Sequence, residues 1–444
     1  MPHAPDTISY SLITEAAWTL TVMVAVMLLI DLRRDVTRLL TSRNVVLVGV
    51  FSWYLLEALQ LPEATRAFRP SACLYGLFLV GVNISCFLYG YRISQARFFD
   101  RAGERVALLD DRRRQWYVLV LAASIGFLPV VVYGGSDLAY LIRGILGMRQ
   151  TWGGPLGRGA LGDFRGAFLL LETCVLGVSW LAVLYLADTR NPPGARMFAL
   201  AIVLWMLLRA YGSGTRSAVF TAVAVIFAGL FWHSSPSWRR RLVLCSPLLG
   251  LTFYVFSGAM VTGRQEARLA FEAIPSYVGH EMFRELLFIV DQVPEVYPYK
   301  LGDTYWAQAV NPIPRFAWED KPLGFGVEFA AWHGFDALAG GPNMSPGIIG
   351  EMYVNFGLVG VVVCSFFGGL LCRSWDRLRE RHAESVPVLM FFTAGLAAVF
   401  VMGRSISIAV LHPLIAAYVC LVLITGLRFA PQSRSRPQTP LAAE

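Results

Sequence analysis

The 444-residue chain is 56% hydrophobic and 15% charged, with a mean hydropathy of +0.55. Soluble domains carry about 25% charged residues, so composition argues against a water-soluble fold and for one membrane-embedded domain, residues 1–430. The net charge of +8 does not point to nucleic acid, because the arginines lie in short clusters between apolar runs, the pattern that sets orientation in a membrane.

A bilayer core about 30 Å thick needs about 20 mostly apolar residues per helix. Such runs fall at about 12–30, 44–61, 72–90, 116–133, 164–187, 197–211, 217–233, 242–258, 347–371, 387–403 and 407–427. Backbone groups cannot stay unpaired in lipid, so the expected fold is an all-α membrane bundle of eleven transmembrane helices. The first run lacks a basic region before it and a small-residue cleavage pattern after it, so it is expected to be a retained helix and not a signal peptide. Arg33, Arg34, Arg38 and Arg43 follow the first run, Arg92 to Arg114 the third, Arg190 and Arg196 the fifth, Arg239 to Arg241 the seventh, and RSWDRLRER from Arg373 the ninth. The positive-inside rule then puts these connections and the C-terminus in the cytoplasm and the N-terminus outside. Residues 431–444, rich in Pro, Ser and Gln, are expected to be a disordered cytoplasmic tail. Cys73, Cys86, Cys174, Cys245, Cys364, Cys372 and Cys420 all lie in or at the ends of apolar runs with no CxxC, so neither a disulfide framework nor a zinc site is expected.

Residues 259–346 form the expected external loop, far longer than an ordinary connection. Its Trp306, Trp318, Trp332, Tyr277, Tyr297, Tyr299 and Tyr305 are too much aromatic surface for a solvated linker. Residues from about Arg264 to Val293 read as a helix with Phe271, Ile274, Val278, Met282, Leu286 and Ile289 at three- and four-residue spacing, and Pro275 at a start or kink. This helix is expected on the membrane surface or under the loop. In NPIPRFAWEDKPLGFG, Asn311 to Gly326, three prolines fix the backbone while Arg315, Glu319, Asp320 and Lys321 crowd charge among aromatics. That composition suits a structured polar site at the membrane boundary, and also an interfacial anchor. The stretch GGPNMSPGIIGEMYVNFGLVG, Gly340 to Gly360, feeds the ninth run and puts Glu351 and Asn355 one turn apart near its outer end, where polar groups need partners.

Three arginines converge on the outer side: Arg216 in GSGTRS, Arg404 in GRSIS, and Arg315 in the loop. A guanidinium fork binds phosphate oxygens in bidentate fashion, and Ser217 opens a helix whose N-terminus also favours anions. A lipid-linked pyrophosphate suits such a cluster, although any one of these arginines could equally hold a salt bridge or a headgroup. His280, His333 and His412 fall on or near the same side, and Glu319, Asp320 and Glu351 are equal candidates for a general base. The loop has no DxD-like or His-rich cluster, so no metal or other cofactor is expected, and arginines would neutralise the leaving pyrophosphate. Glu57 and Glu172 are the main charges deep within the runs.

The segment IPRFAWEDKP, then SPGIIGEMYVNFGLVG entering a helix, with GTRS upstream and GRS downstream, resembles the bacterial O-antigen or oligosaccharide repeat-unit polymerases (Wzy-type). The detailed likeness is confined to the C-terminal half. It implies a glycosyltransferase of the bacterial cytoplasmic (inner) membrane with a periplasmic loop. Its substrate would be undecaprenyl-diphosphate-linked oligosaccharide, joined into O-antigen, capsule or exopolysaccharide, with a chain-length regulator and a flippase as partners. On this resemblance Arg315 and Lys321 match the loop motif, Glu351 and Asn355 the helix-entry motif, and Arg216 and Arg404 the short arginine motifs. With the residue reading, Arg216, Arg315, Lys321 and Arg404 are expected to bind the pyrophosphate, Glu351, Glu319, Asp320 and His333 are candidate bases, and Trp318, Tyr353 and Asn355 are expected at the acceptor sugar. Family members often have a cytoplasmic N-terminus, whereas the count here places it outside. A ligase-like transferase acting on a lipid A-core acceptor would use the same arginines. A lipid-linked oligosaccharide flippase or other transporter would instead line a mid-membrane cavity with its charges, and a non-catalytic export scaffold would leave the arginines unexplained.

Overall fold

Backbone that leaves water must pair its polar groups within the segment, and this chain does so with helices. The computed structural model describes residues 10–34, 39–60, 68–134, 171–212, 216–235, 237–242, 245, 282–310, 313, 317–335, 344–404 and 408–426, which are 83% helical and contain no strand. The first half supplies α1 (Tyr10–Arg34), α2 (Ser42–Val50), a π-helical turn (Phe51–Leu55) running into α3 (Leu56–Gln60), then α4 (Pro70–Ile93), α5 (Asp100–Ala107) and α6 (Arg112–Gly134). There follow α7 (Glu172–Gly177), α8 (Ser179–Ala187), α9 (Pro193–Gly212) and α10 (Arg216–His233). The second half supplies α11 (Met282–Gln292), α12 (Asp303–Val310), α13 (Phe325–Trp332), α14 (Gly347–Arg381), α15 (Val386–Met402) and α16 (Ile408–Gly426).

Among the described residues, four helices are long and apolar enough to cross a bilayer: Ser11–Arg34, Pro70–Ile93, Pro193–Tyr211 and Gly347–Arg381. Ala218–His233, Val386–Met402 and Pro413–Ile424 are apolar but shorter. Helices stand at ten of the eleven predicted runs. The eighth run, apart from residues at its start, lies outside the described residues, as do the tail and residues 259–281 of the loop region, which hold the first part of the helix expected over Arg264 to Val293. Three expectations change in detail. The fifth run is two short helices parted at Val178 (φ −94°, ψ 5°). The ninth continues ten residues further, so the RSWDRLRER stretch is helix and not connection. The expected arginine-rich loop after the third run contains α5 and a 3-10 turn, Leu108–Asp110.

Two buried clusters organise the bundle. One gathers α1 to α4, α11, α13 and α14 around Tyr54, Phe283, Leu286 and Phe329. The other gathers α6 to α10, α15 and α16 around Leu119, Leu181, Phe231 and Met390. The most extensive crossing is α4 on α14, where a methyl group at Gly90 would overlap Phe366 O and one at Gly369 would overlap Phe87 O. Small residues let membrane helices approach backbone to backbone, where dispersion replaces the hydrophobic effect as the driving force.

The arginine clusters gather at one end of the bundle. Arg43 bonds Asp31, Ser42 N donates to Asp376 Oδ1 at 2.8 Å, and Tyr91 Oη donates to Asp376 Oδ2 at 2.6 Å. Arg379 caps Leu40 O at 2.9 Å, while Arg112 lies 3.3 Å from Asp188. The Arg190 guanidinium, hydrogen-bonded to Asp188, holds that carboxyl down at about 2, so it stays charged at neutral pH. These ties place the connections after α1, α4, α8 and α14 on one side, the side-to-side relation that arginine placement predicted.

Candidate functional site

The opposite end is built around a capping device. The π turn puts Tyr54 and Glu57 where they meet two helix N-termini, whose first backbone N–H groups lack partners within the helix. Glu57, 7% exposed, accepts from Phe283 N at 2.7 Å and Arg284 N at 3.3 Å, in the first turn of α11. Tyr54 Oη accepts from Ile349 N at 3.0 Å, in the first turn of α14. A carboxylate at a helix N-terminus is favoured by the helix dipole as well, so Glu57, expected as a deep membrane charge, anchors the segment that begins with α11. Glu172 is committed too: it takes a bidentate pair from Arg209 at 2.6 and 2.9 Å.

Helix α14 is broken near its start. Phe356 (φ −141°, ψ 19°) and Gly357 (φ 60°, ψ −147°) leave the helical region, and only glycine adopts the latter without strain. The carbonyls freed at the break are taken up by the outer segment: Lys300 N donates to Val354 O at 2.9 Å and Leu301 N to Asn355 O at 3.0 Å. Asn355 closes the seam, accepting from Gly302 N at 2.9 Å and donating to Thr304 Oγ1 and Glu351 O, each at 2.7 Å. It is fully buried, so its polar atoms serve this seam in the present structure instead of facing a sugar. The nine residues before the break carry Glu351, 1% exposed, and Tyr353, which packs edge-on to Tyr75 and Tyr299. Tyr305 lies beside this helix with Cys364; burial, Cys364 and Glu351 push its phenol well above the usual range, so it remains a proton donor.

Arg404 joins the same knot through its backbone. Ser345 Oγ donates to Arg404 O at 2.5 Å and Ile348 N to Gly403 O at 3.2 Å, which fixes the turn after α15 against the start of α14. The side chain of Arg404 is partly exposed. Arg216 begins α10, although its side chain and all of Arg315 lie outside the described residues, as do His280 and the side chain of His412. Lys321 donates to Ile313 O at 2.6 Å. Glu319 and Asp320 are exposed on a turn, beside Trp318, whose ring lies 6.4 Å from that of Trp306.

The fourth candidate base, His333, ends α13 and has a partner that sequence reasoning missed. Its Nε2 lies 2.9 Å from Glu285 Oε2, with Glu285 2% and His333 19% exposed at the side chain. Phe288 stacks on the imidazole at 4.0 Å and Phe329 meets it edge-on at 5.0 Å. Both Nε2 and Glu285 Oε2 are buried, and their approach is a close charge contact without hydrogen-bond geometry. The imidazole is held beside a carboxylate and between two aromatic rings, which keeps His333 a candidate for the general base. The signal was present in the chain: Glu285 falls on the face marked by Met282, Leu286 and Ile289, and a carboxylate in an apolar stripe calls for a partner. Arg209 was legible in the same way, from Glu172.

Among the described residues no three His, Cys, Asp or Glu side chains gather as a metal site, and all seven cysteines are free thiols. The described residues form an all-helical structure with four helices long and apolar enough to cross a membrane. No family model, curated protein or solved structure matches it.

Proposed function

We propose that this protein is an eleven-span glycosyltransferase of the bacterial cytoplasmic membrane that polymerises undecaprenyl-diphosphate-linked oligosaccharide units at its outer face. The observation that carries the reading is the carboxylate–imidazole pair, Glu285 and His333 at 2.9 Å, set in an ordered outer layer that is tied to the Arg404 turn through α14. In the reaction, the acceptor hydroxyl attacks the anomeric carbon of the donor sugar as the bond to the lipid diphosphate breaks. His333 takes the hydroxyl proton, and the bonding electrons leave with the diphosphate. Arg404, with Arg216, Arg315 and Lys321, neutralises the charge that develops there. Glu351 is closed off from solvent in this structure and Glu319 and Asp320 lie on an exposed turn, so His333 is the preferred base of the four. The neighbouring indoles of Trp306 and Trp318 offer apolar faces to a sugar.

A transporter of the same lipid-linked substrate is the second reading, favoured by the broken helix, since discontinuous helices build many transport sites. Against it, Glu57 and Glu172 are both held by internal partners. Incubating the purified protein with a synthetic lipid-diphosphate oligosaccharide separates the readings. A ladder of longer glycans supports polymerisation. Single transfer to another lipid supports a ligase, and movement across vesicles without new bonds supports a transporter.

A further inference from the structure

At the arginine-rich end lies a cleft of about 620 Å³ lined by Gln95, Arg97, Arg377, Glu380 and Arg381. It falls within the size range of small-ligand sites, roughly 300–1,000 Å³. Arg377 shapes its floor by donating to Ala96 O at 2.7 Å and Ser94 O at 2.8 Å, which holds the chain leaving α4 against the end of α14. Arg381 bonds Asp100, and Arg373 bonds Glu380 at 2.6 Å. Around the cleft, the guanidinium groups of Arg97, Arg373, Arg377 and Arg381 therefore outnumber the carboxylates of Asp100 and Glu380, and Arg97 is exposed. The excess charge is positive, so an anion is the complementary occupant.

Two further observations choose the source of that anion. The cleft sits where the membrane-crossing helices Pro70–Ile93 and Gly347–Arg381 both end, the depth of lipid headgroups. Beside Gln95 and Arg97, Ile93 is 46% exposed and Phe98 63% exposed. A soluble phosphate needs no apolar rim, whereas a lipid needs its acyl chains to run along one while its phosphate meets arginine.

We propose that this cleft is a binding site for the phosphate headgroup of an anionic phospholipid, with Arg97 at its mouth and Phe98 and Ile93 contacting the acyl chains. The site needs only the membrane setting and is independent of the transfer reaction. Native mass spectrometry of the full-length protein in detergent, titrated with phosphatidylglycerol, phosphatidylcholine of the same acyl chains, or inorganic pyrophosphate, tests it. Phosphatidylglycerol is expected to be retained over phosphatidylcholine. Arg97→Ala should weaken that retention about fivefold, from about 1 kcal/mol for one arginine at a charged lipid surface, with an unchanged melting midpoint. Phe98→Ser should weaken phosphatidylglycerol retention and leave pyrophosphate binding alone. Equal retention of the two lipids, or no response to either substitution, overturns the site. Pyrophosphate that displaces phosphatidylglycerol from a cleft indifferent to Phe98→Ser makes it a soluble-phosphate site and overturns the lipid assignment.

Discussion

Glu285 and His333 show how much one contact can reorder a set of candidates. Six side chains had equal claims as a base from spacing alone, and among those described only the fold separates a histidine 2.9 Å from a carboxylate from acids that are closed off or lie on an exposed turn. If His333 takes the acceptor proton, His333→Ala should lower the rate of chain extension by about 10²- to 10⁴-fold with the protein still inserted and folded. Glu285→Gln, which keeps the shape and removes the charge, should slow extension by a smaller factor, with Glu285→Asp restoring part of the rate; a pure packing role would leave Glu285→Gln at the full rate. For Arg404, the backbone carbonyl is held by Ser345 and the guanidinium is assigned to the diphosphate. Arg404→Ala should therefore abolish extension while expression and membrane insertion persist. Arg404→Lys, which keeps charge without the planar fork, should restore only part of it. Normal product lengths in Arg404→Ala would remove this arginine from the site.

At the scale of elements, the break at Phe356 and Gly357 decides what the ninth predicted helix does. An unbroken helix of 35 residues would be about 52 Å long, well beyond a hydrocarbon core of about 30 Å. The kink divides it into a short outer piece and a longer span. Gly357→Ala forces a side chain into positive φ at a cost of about 1–2 kcal/mol and brings its Cβ to 3.0 Å from Tyr299 Oη; a lowered melting temperature is the expected result. Asn355→Ala strands Gly302 N and should cost about 1–3 kcal/mol, measured in the same way. The apolar runs were legible because period and length speak directly in a membrane. The break was not, because NFGLVG reads as uninterrupted apolar helix and the partners that accept the kink, Lys300 and Leu301, lie in a distant turn. Arg404 and Glu351 were likewise visible as residue types, whereas the Ser345 bond and the Tyr54 cap that position them depend on contacts between segments remote in sequence.

Across the described residues the two ends differ in emphasis: one is stitched mainly by arginine to carbonyls and carboxylates, the other mainly by backbone seams and caps, with the Arg69–Asp291 pair beside them. This separation gives a direct test of orientation. In a Cys245→Ser background, Leu301→Cys, at a position 74% exposed, should react with an impermeant maleimide in intact cells, and Arg190→Cys only after permeabilisation. The opposite pattern would invert the proposed topology. The Glu57 and Tyr54 caps also bear on how the protein is made. The chain is synthesised from its N-terminus, and Glu57 precedes the backbone amide that it receives by 226 residues. Tyr54 precedes its own by 295. The hairpin of early helices can therefore stand inserted as a jig before either helix start emerges from the ribosome, each new N-terminus finding its acceptor already waiting.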